Sequence, residues 1–493
     1  MIPQKEKSIM KRYTKIYCSL LLIGLIGCDN VDFGETNVDP DAPTTVVSSG
    51  LLTNAEKTIS SLVTDEIGDL YTQHISQITY TDGSRYVTQN WDSDYLYKGA
   101  LTDLQTIINV NSDENMAAGQ TVYGSNANQI AVARLIKAYI YQYMTDTWGM
   151  MPYSGALQGL DNPYPVFDTQ ETIYDSLFTE IDEAIAQMDG GTGPVGDQLF
   201  GGDMERWKQF GNTMKLIMAL RLSNVYPSPT GYAATKFKEA MTGAISSSDE
   251  NILYPFLADD NNDNPWQDNF QTREDYAVSD VLIDRLIADS DPRLSVYAEY
   301  TRTSVSNGTP EYVGMPYGLP NSEILASDVS FISSNVIYNG EFPGMIYMYY
   351  QVAFSYAEAV ELGWIAGSAS DYYEAGITAS FEYWGAEGLS EYLAAFPLST
   401  DSATAMQQIA EEKWKALYLQ GWESWMEWKR IGYPVLEPAT MPLNGDDVPV
   451  RHGYDNDYPS NNTENYNAAV SAQGPDNLGT HVWWDTTHPI TNQ

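Results

Sequence analysis

Thiols, imidazoles and positive charge are scarce in this chain: 493 residues hold two cysteines, four histidines, and 25 lysines and arginines against 66 carboxylates. Both cysteines, Cys18 and Cys28, lie near the start. Everything after them is free of thiols, which excludes disulfides and cysteine-based metal sites there. His74, His452, His481 and His488 are scattered without the HExxH spacing of a zinc hydrolase, and no Gly-x-Ser-x-Gly elbow occurs. Loop hydrogen bonding is the expected role of these histidines. A formal charge of −41 excludes binding of nucleic acid or anionic lipid through a general field. Long apolar runs are absent too: the stretch from Ile16 to Gly27 falls short of the roughly 20 residues a membrane-spanning helix needs.

That short run has its own meaning. Lys5, Lys7, Lys11, Arg12 and Lys15 precede it against a single Glu6, and it ends in Leu25-Ile26-Gly27-Cys28. A basic start, a short apolar core and a small residue before cysteine predict a bacterial lipoprotein signal, cut before Cys28 with acyl chains on the thiol. The organisation expected is a signal peptide over 1–27, a lipidated N-terminus and tether over 28–48, and a single helical body over 49–493. Taking five basic residues and one acidic residue away with the leader leaves a body of about −45.

Helical periodicity dominates that body. Leu52, Ile59, Leu62 and Ile67 predict a helix from about 49 to 78, followed by a polar, tyrosine-rich stretch at 79–89 and a second helix beginning near Trp91. A third covers about 128–146. Asp168 and Glu171 have capping-box spacing ahead of Ile173, Leu177, Ile181, Ile185 and Met188. Further helices are predicted at about 204–225, 234–244, 279–289, 344–362, 370–384 and 403–429. In the last, Met406, Ala410, Trp414, Leu417, Gly421, Trp425 and Trp428 make one stripe, which assigns its tryptophans to packing. Residues 246–340 are irregular and aromatic, and the tail from Glu437 is loop-like. The fold class predicted is mostly α, with long irregular insertions.

Two motifs fail on inspection. Gly191-x-Gly193-x-x-Gly196 contains proline and follows a helix rather than a strand, so it reads as a loop and not a dinucleotide site. Asp259, Asn261 and Asp263 open like a calcium loop, but Asn264 replaces the turn glycine and Phe270 the closing glutamate. That rules out an EF-hand and leaves room only for a loosely bound calcium; no cofactor is expected.

In the 403–434 segment, Ile409, Lys413-Trp414, Glu423, Trp425, Lys429-Arg430 and Gly432-Tyr433-Pro434 resemble the C-terminal motif of the SusD/RagB family of outer-membrane nutrient-binding lipoproteins. Thr36-Asn37, Asp39-Pro40 and Ala42-Pro43-Thr44 resemble the start of its mature members, and Trp148-Gly149 with Pro152-Tyr153 the turn after their third helix. Gly202-Asp203 with Trp207, Phe210, Asn212 and Arg221, then Asp291-Pro292-Arg293-Leu294, Tyr356-Ala357-Glu358-Ala359 and Trp483-Trp484-Asp485, follow in the family's order. The resemblance implies tetratricopeptide-like helix pairs and a lipid anchor at the cell surface. It also implies capture of oligosaccharides for a SusC-like TonB-dependent transporter, with Cys28 held in outer-membrane lipid. Peptide capture, as in the RagB branch, is the alternative within the family, and a surface glycosidase the alternative outside it.

Sugar binding needs a flat ring to cover the C–H face of a pyranose, flanked by groups that replace water on its hydroxyls. The loop aromatics that fit are Tyr80 and Tyr86 beside Asp82 and Arg85, Trp266 beside Asn264 and Asp268, Tyr276 beside Arg273, and Tyr312 and Tyr317 in a glycine-rich stretch. These fall where the family's ligand loops lie, after the first helix and in mid-chain insertions.

Overall fold

A computed structural model describes residues 46–320 and 324–486. The signal, Cys28, the tether up to Thr45 and His488 lie outside the described residues. From Ser48 onward the chain forms one compact unit built mainly of helices.

Helices adjacent in sequence pack in pairs: Asn126–Trp148 on Gln170–Gln187, Met204–Arg221 on Tyr232–Met241, and Tyr349–Glu361 on Ala369–Trp384. Side-chain caps start several of them, with Asp203 accepting from Glu205 and Arg206 amides and Ser279 from Leu282. The cap of Gln170–Gln187 is Thr169 rather than Asp168. Asp168 instead belongs to a two-residue strand paired with Met151–Pro152, and its carboxylate takes the amides of Tyr153 and Ser154.

Four predicted helices are interrupted or shortened. The stretch from 49 to 78 divides into Ser48–Val63 and Glu66–Tyr71, because Asp65 accepts the Ile67 amide and starts a new helix. It then turns at Gln73, where φ is 60°, into strand Ile75–Gln77. The helix near Trp91 starts at Asp94 and is broken at Gly99 before Thr102–Ser112. Strand Gly344–Tyr347 precedes helix Tyr349–Glu361. The 403–429 stripe is two helices, Ser402–Ala416 and Gly421–Ile431, parted where Leu419 adopts φ 60°. The tail is not all loop, for it contains helices Tyr458–Asn461 and Thr463–Gln473.

Helix Gly421–Ile431 crosses Glu66–Tyr71 at a glycine pair. A Cβ on Gly68 would stand 2.2 Å from the carbonyl carbon of Gly421, so only hydrogen permits this approach. Trp414, Trp425 and Trp428 are buried, their indole N–H groups donating to the carbonyls of Thr72, Pro449 and Pro434.

Many residues of the C-terminal motif form a buried ion network. Arg221 donates to Asp146 at 2.6 Å and Glu423 at 3.0 Å, Lys413 to Glu358 at 3.1 Å and Glu427 at 2.7 Å, and Arg430 to both glutamates at 2.6 Å. Burial alone would raise the Glu427 pKa, yet Arg430 and Lys413 outweigh it and hold the carboxyl well below the usual range. A second network joins Arg293 to Asp291 and Glu412, and Lys415 to Glu412; the two cations overcome burial and bring Glu412 down to about 2.

Of the histidines, His74 bridges Asp69 and the Trp414 carbonyl, and His481 meets Asp485 at 2.9 Å. His452 departs from the hydrogen-bonding role: it is buried and stacks on Trp91 at 4.5 Å, and burial holds its imidazole neutral. The 191–196 loop packs against the start of helix Asn126–Trp148, with the Ser125 amide donating to Thr192.

Candidate functional site

Strand Ile75–Gln77 pairs antiparallel with Tyr276–Val278, Ile75 opposite Val278 and Gln77 opposite Tyr276. Backbone hydrogen bonds extend this small sheet into the mid-chain insertion. Val278 donates to Ser330, Ser330 to Val313, Met315 back to Val278, Glu299 to Phe331 and Thr301 to Glu311. Satisfied backbone groups make this a firm platform for the loops around it.

Segment Arg273–Asp275 links the rings that the platform exposes. Tyr80 is 62% exposed, and the Arg273 guanidinium lies 4.6 Å from its ring centroid while pairing with Asp275. Next in sequence, Glu274 is held by two Arg302 nitrogens at 2.9 and 2.5 Å. Beside Arg302, Tyr300 and Tyr312 stack at 4.3 Å and 29°. Tyr338, also exposed, lies near enough to Arg302 to help raise its pKa. The Arg302 contact pushes the Glu274 pKa down, and partial burial followed by the neighbouring Tyr300 pushes the Tyr312 hydroxyl up. Rings whose faces are steadied by a guanidinium or a second ring suit stacking on an apolar ligand face, with carboxylates and guanidinium groups at hand for hydroxyls.

Of the residues singled out in the sequence, Tyr80, Asp82, Arg273 and Tyr312 stand on this surface. Asp82 is exposed and pairs with Arg85 at 3.5 Å; the Arg85 side chain is largely covered and its Nε donates to the Met441 carbonyl at 2.7 Å, tying the turn to the tail. Four others are buried rather than on this surface. Tyr86 takes the left-handed conformation that ends turn Gly83–Arg85 and points inward, edge-on to Tyr71 at 6.0 Å. Its hydroxyl accepts the Ala439 amide, and burial pushes its pKa up to about 12. Trp266, only 2% exposed, lies in the first turn of helix Pro265–Gln271 and meets Tyr276 edge-on. Tyr276 faces inward from its strand and donates to Glu66 at 2.8 Å. Tyr317 donates to the Leu70 carbonyl at 2.5 Å. Strand, turn and helix geometry aims these rings into the core rather than toward their polar neighbours in sequence.

Tyr300, Arg302 and Tyr338 were missed, although Glu299-Tyr300-Thr301-Arg302 has the same ring, acid and guanidinium grouping as the residues chosen. At the suggested calcium loop, Asp259 accepts the Asn261 amide and the Asn262 side chain in a closed turn. Among the described residues no three acidic or histidine side chains converge to hold a metal ion.

Residues 40–455 match the SusD-like family described as starch-binding and associating with the outer membrane. The chain belongs to this family. A solved chitin-binding protein is 27% identical with TM-score 0.76, the match covering 89% of this chain and 100% of that one. A SusD homologue from Bacteroides fragilis is 24% identical with TM-score 0.77, covering 89% and 100%. Another, from Bacteroides thetaiotaomicron, is 23% identical with TM-score 0.73, covering 90% and 99%. A comparison with curated proteins finds no match. The mostly helical SusD-like fold is therefore that of this family, and no helix among the described residues is long and apolar enough to cross a membrane.

Proposed function

We propose that this SusD-like chain is a lipid-anchored protein of the outer cell surface that binds an oligosaccharide across Tyr80, Tyr300 and Tyr312 and passes it to a SusC-like TonB-dependent transporter. The observation that carries the reading is the exposed tyrosine group joined through Arg273–Asp275, with Arg273 over Tyr80 and the Tyr300–Tyr312 stack beside Arg302. The family's description and the likeness to a chitin-binding protein support a carbohydrate ligand. Leu25-Ile26-Gly27-Cys28 supports the anchor.

Calorimetric titration of a glycan panel into the purified chain and into a Tyr80→Ala, Tyr300→Ala variant tests the site. Two stacking platforms worth about 1 kcal/mol each predict a loss of roughly tenfold or more in affinity with unchanged circular dichroism. Unchanged affinity would refute this placement. Labelling of cells with palmitate should mark the wild-type chain and not Cys28→Ser.

A further inference from the structure

A second cleft, of about 460 Å³, opens between the Asp94–Leu101 segment, the loop after strand Met151–Pro152 and helix Tyr458–Asn461. Its walls are rings and hydrocarbon, from Tyr97, Pro152, Leu157, Pro163, Pro165 and Tyr458. Their polar neighbours are already engaged: the Tyr97 hydroxyl donates to the Pro152 carbonyl at 2.6 Å and the Asn462 amide to the Pro165 carbonyl at 2.7 Å. Leu157 is held at φ 63°, a conformation that leucine rarely adopts and that collects at binding sites.

The mouth is different. Asp94 and Asp457 line it, and each belongs to an Asp-x-Asp turn in which the first carboxylate accepts the amide of the second, Asp92 for Asp94 and Asp455 for Asp457. The Ser93 Oγ and the Tyr458 hydroxyl, 3.4 Å apart, bring the two turns together, and burial, joined by Asp92, Asp94 and Asp457, raises the Asp455 pKa. Against four carboxylates stands one cation, Lys98, which is 76% exposed and meets Asp94 at 3.0 Å. Apolar ring walls under a mouth of excess negative charge are complementary to a ligand that has both a C–H face and a positive charge.

From this complementarity we propose that the cleft binds a protonated amino-sugar residue of an oligosaccharide, a hexosamine with a free amine, separately from the tyrosine face. The volume suits a small ligand of one or two rings. The walls supply stacking surface for a pyranose, and the Asp94 and Asp457 carboxylates accept from the ammonium. The inference rests on the carbohydrate reading above and adds to it a discrimination by charge that the tyrosine face, with its paired guanidinium groups, does not provide.

The test is calorimetry on the full mature chain with a β-1,4-linked glucosamine tetramer, its N-acetylated counterpart and an oligolysine, at low and high salt. The free-amine tetramer should bind more tightly than the acetylated one and weaken with salt. Asp94→Asn with Asp457→Asn should cost it about tenfold, at a few-fold per exposed charge pair, while leaving the acetylated tetramer unchanged. Lys98→Glu, which replaces the lining cation paired with Asp94 by a carboxylate and leaves the apolar wall residues in place, should strengthen free-amine binding and serves if the double variant misfolds. Equal affinity for the two tetramers, or a free-amine affinity indifferent to both variants, would overturn the proposal. Binding of oligolysine in preference to the amino sugar would overturn it in favour of a basic peptide. Loss of the acetylated tetramer alone in Tyr80→Ala, Tyr300→Ala would support two separate sites. Failure of every oligosaccharide to bind would instead overturn the carbohydrate reading on which both rest.

Discussion

The glycine crossing at Gly68 and Gly421 makes opposite predictions for one substitution at two places. Replacing Gly68 with alanine puts a methyl 2.2 Å from the Gly421 carbonyl carbon, 2.4 Å from its oxygen and 2.5 Å from the Trp422 nitrogen, all of them backbone atoms. Carbon contacts are comfortable at about 3.5–4.0 Å, so the helices must separate by more than about 1 Å, and no side chain can rotate aside to absorb it. Overpacking of this kind costs about 1–3 kcal/mol, and a backbone obstruction belongs at the upper end. Gly50, by contrast, lies exposed in helix Ser48–Val63 with nothing within 4 Å of the built Cβ. There alanine should stabilise by about 0.5–1 kcal/mol, because the unfolded chain loses freedom that glycine keeps. Urea unfolding of the two variants measures both. Gly68→Ala and Gly421→Ala press on one gap, so their costs should add to less than their sum. A Gly68→Ala midpoint equal to wild type, or one raised like Gly50→Ala, would refute the close-approach argument.

Other predictions follow from the buried charges and from the reassigned rings. Burial, with Asp197 next, raises the Glu56 pKa well above its ordinary value, so the native state holds this proton more tightly than the unfolded chain does. Its stabilising contribution is complete below the ordinary carboxylate pKa and is lost as pH rises through the raised one, so Glu56→Gln should gain on wild type as unfolding is followed from pH 4 to pH 8. Glu412, at about 2, behaves oppositely: its contribution is present above the unfolded value and drains away as pH falls towards 2, which acid unfolding of wild type against Glu412→Gln should show. Arg430→Met leaves Glu358 with Lys413, and Glu427 with Lys413 and the longer Arg221 contact at 3.6 Å, and should destabilise by about 3–5 kcal/mol in urea. Tyr86→Phe removes the acceptor for the Ala439 amide, costing about 1 kcal/mol of stability while leaving glycan affinity unchanged in calorimetry.

Periodicity located most helices because it reports which side of a helix is apolar, but it does not report where the chain stops being one helix. The 403–429 stripe keeps its spacing through Leu417 and Gly421, yet Leu419 turns left-handed and sends the two halves into different parts of the core. The 49–78 stretch ends early because Ile75–Gln77 finds its partner two hundred residues away, at Tyr276–Val278. Pairing at that distance leaves no local trace.

The motif residues show the same division from another side. Arg221, Arg293, Glu358, Lys413, Glu423 and Arg430 identify the family in order along the chain, and the fold gathers them into the two interior ion networks, remote in kind from any ligand surface. Composition and local pattern determined an acidic, mostly helical body without thiols after Cys28, since charge and apolar period are each written in neighbouring residues. Which rings meet solvent depended on the tertiary structure: Tyr80 and Tyr86 stand six positions apart beside the same Arg85, and one is exposed while the other is buried, because a left-handed turn and the distant Ala439 amide decide where the second ring goes.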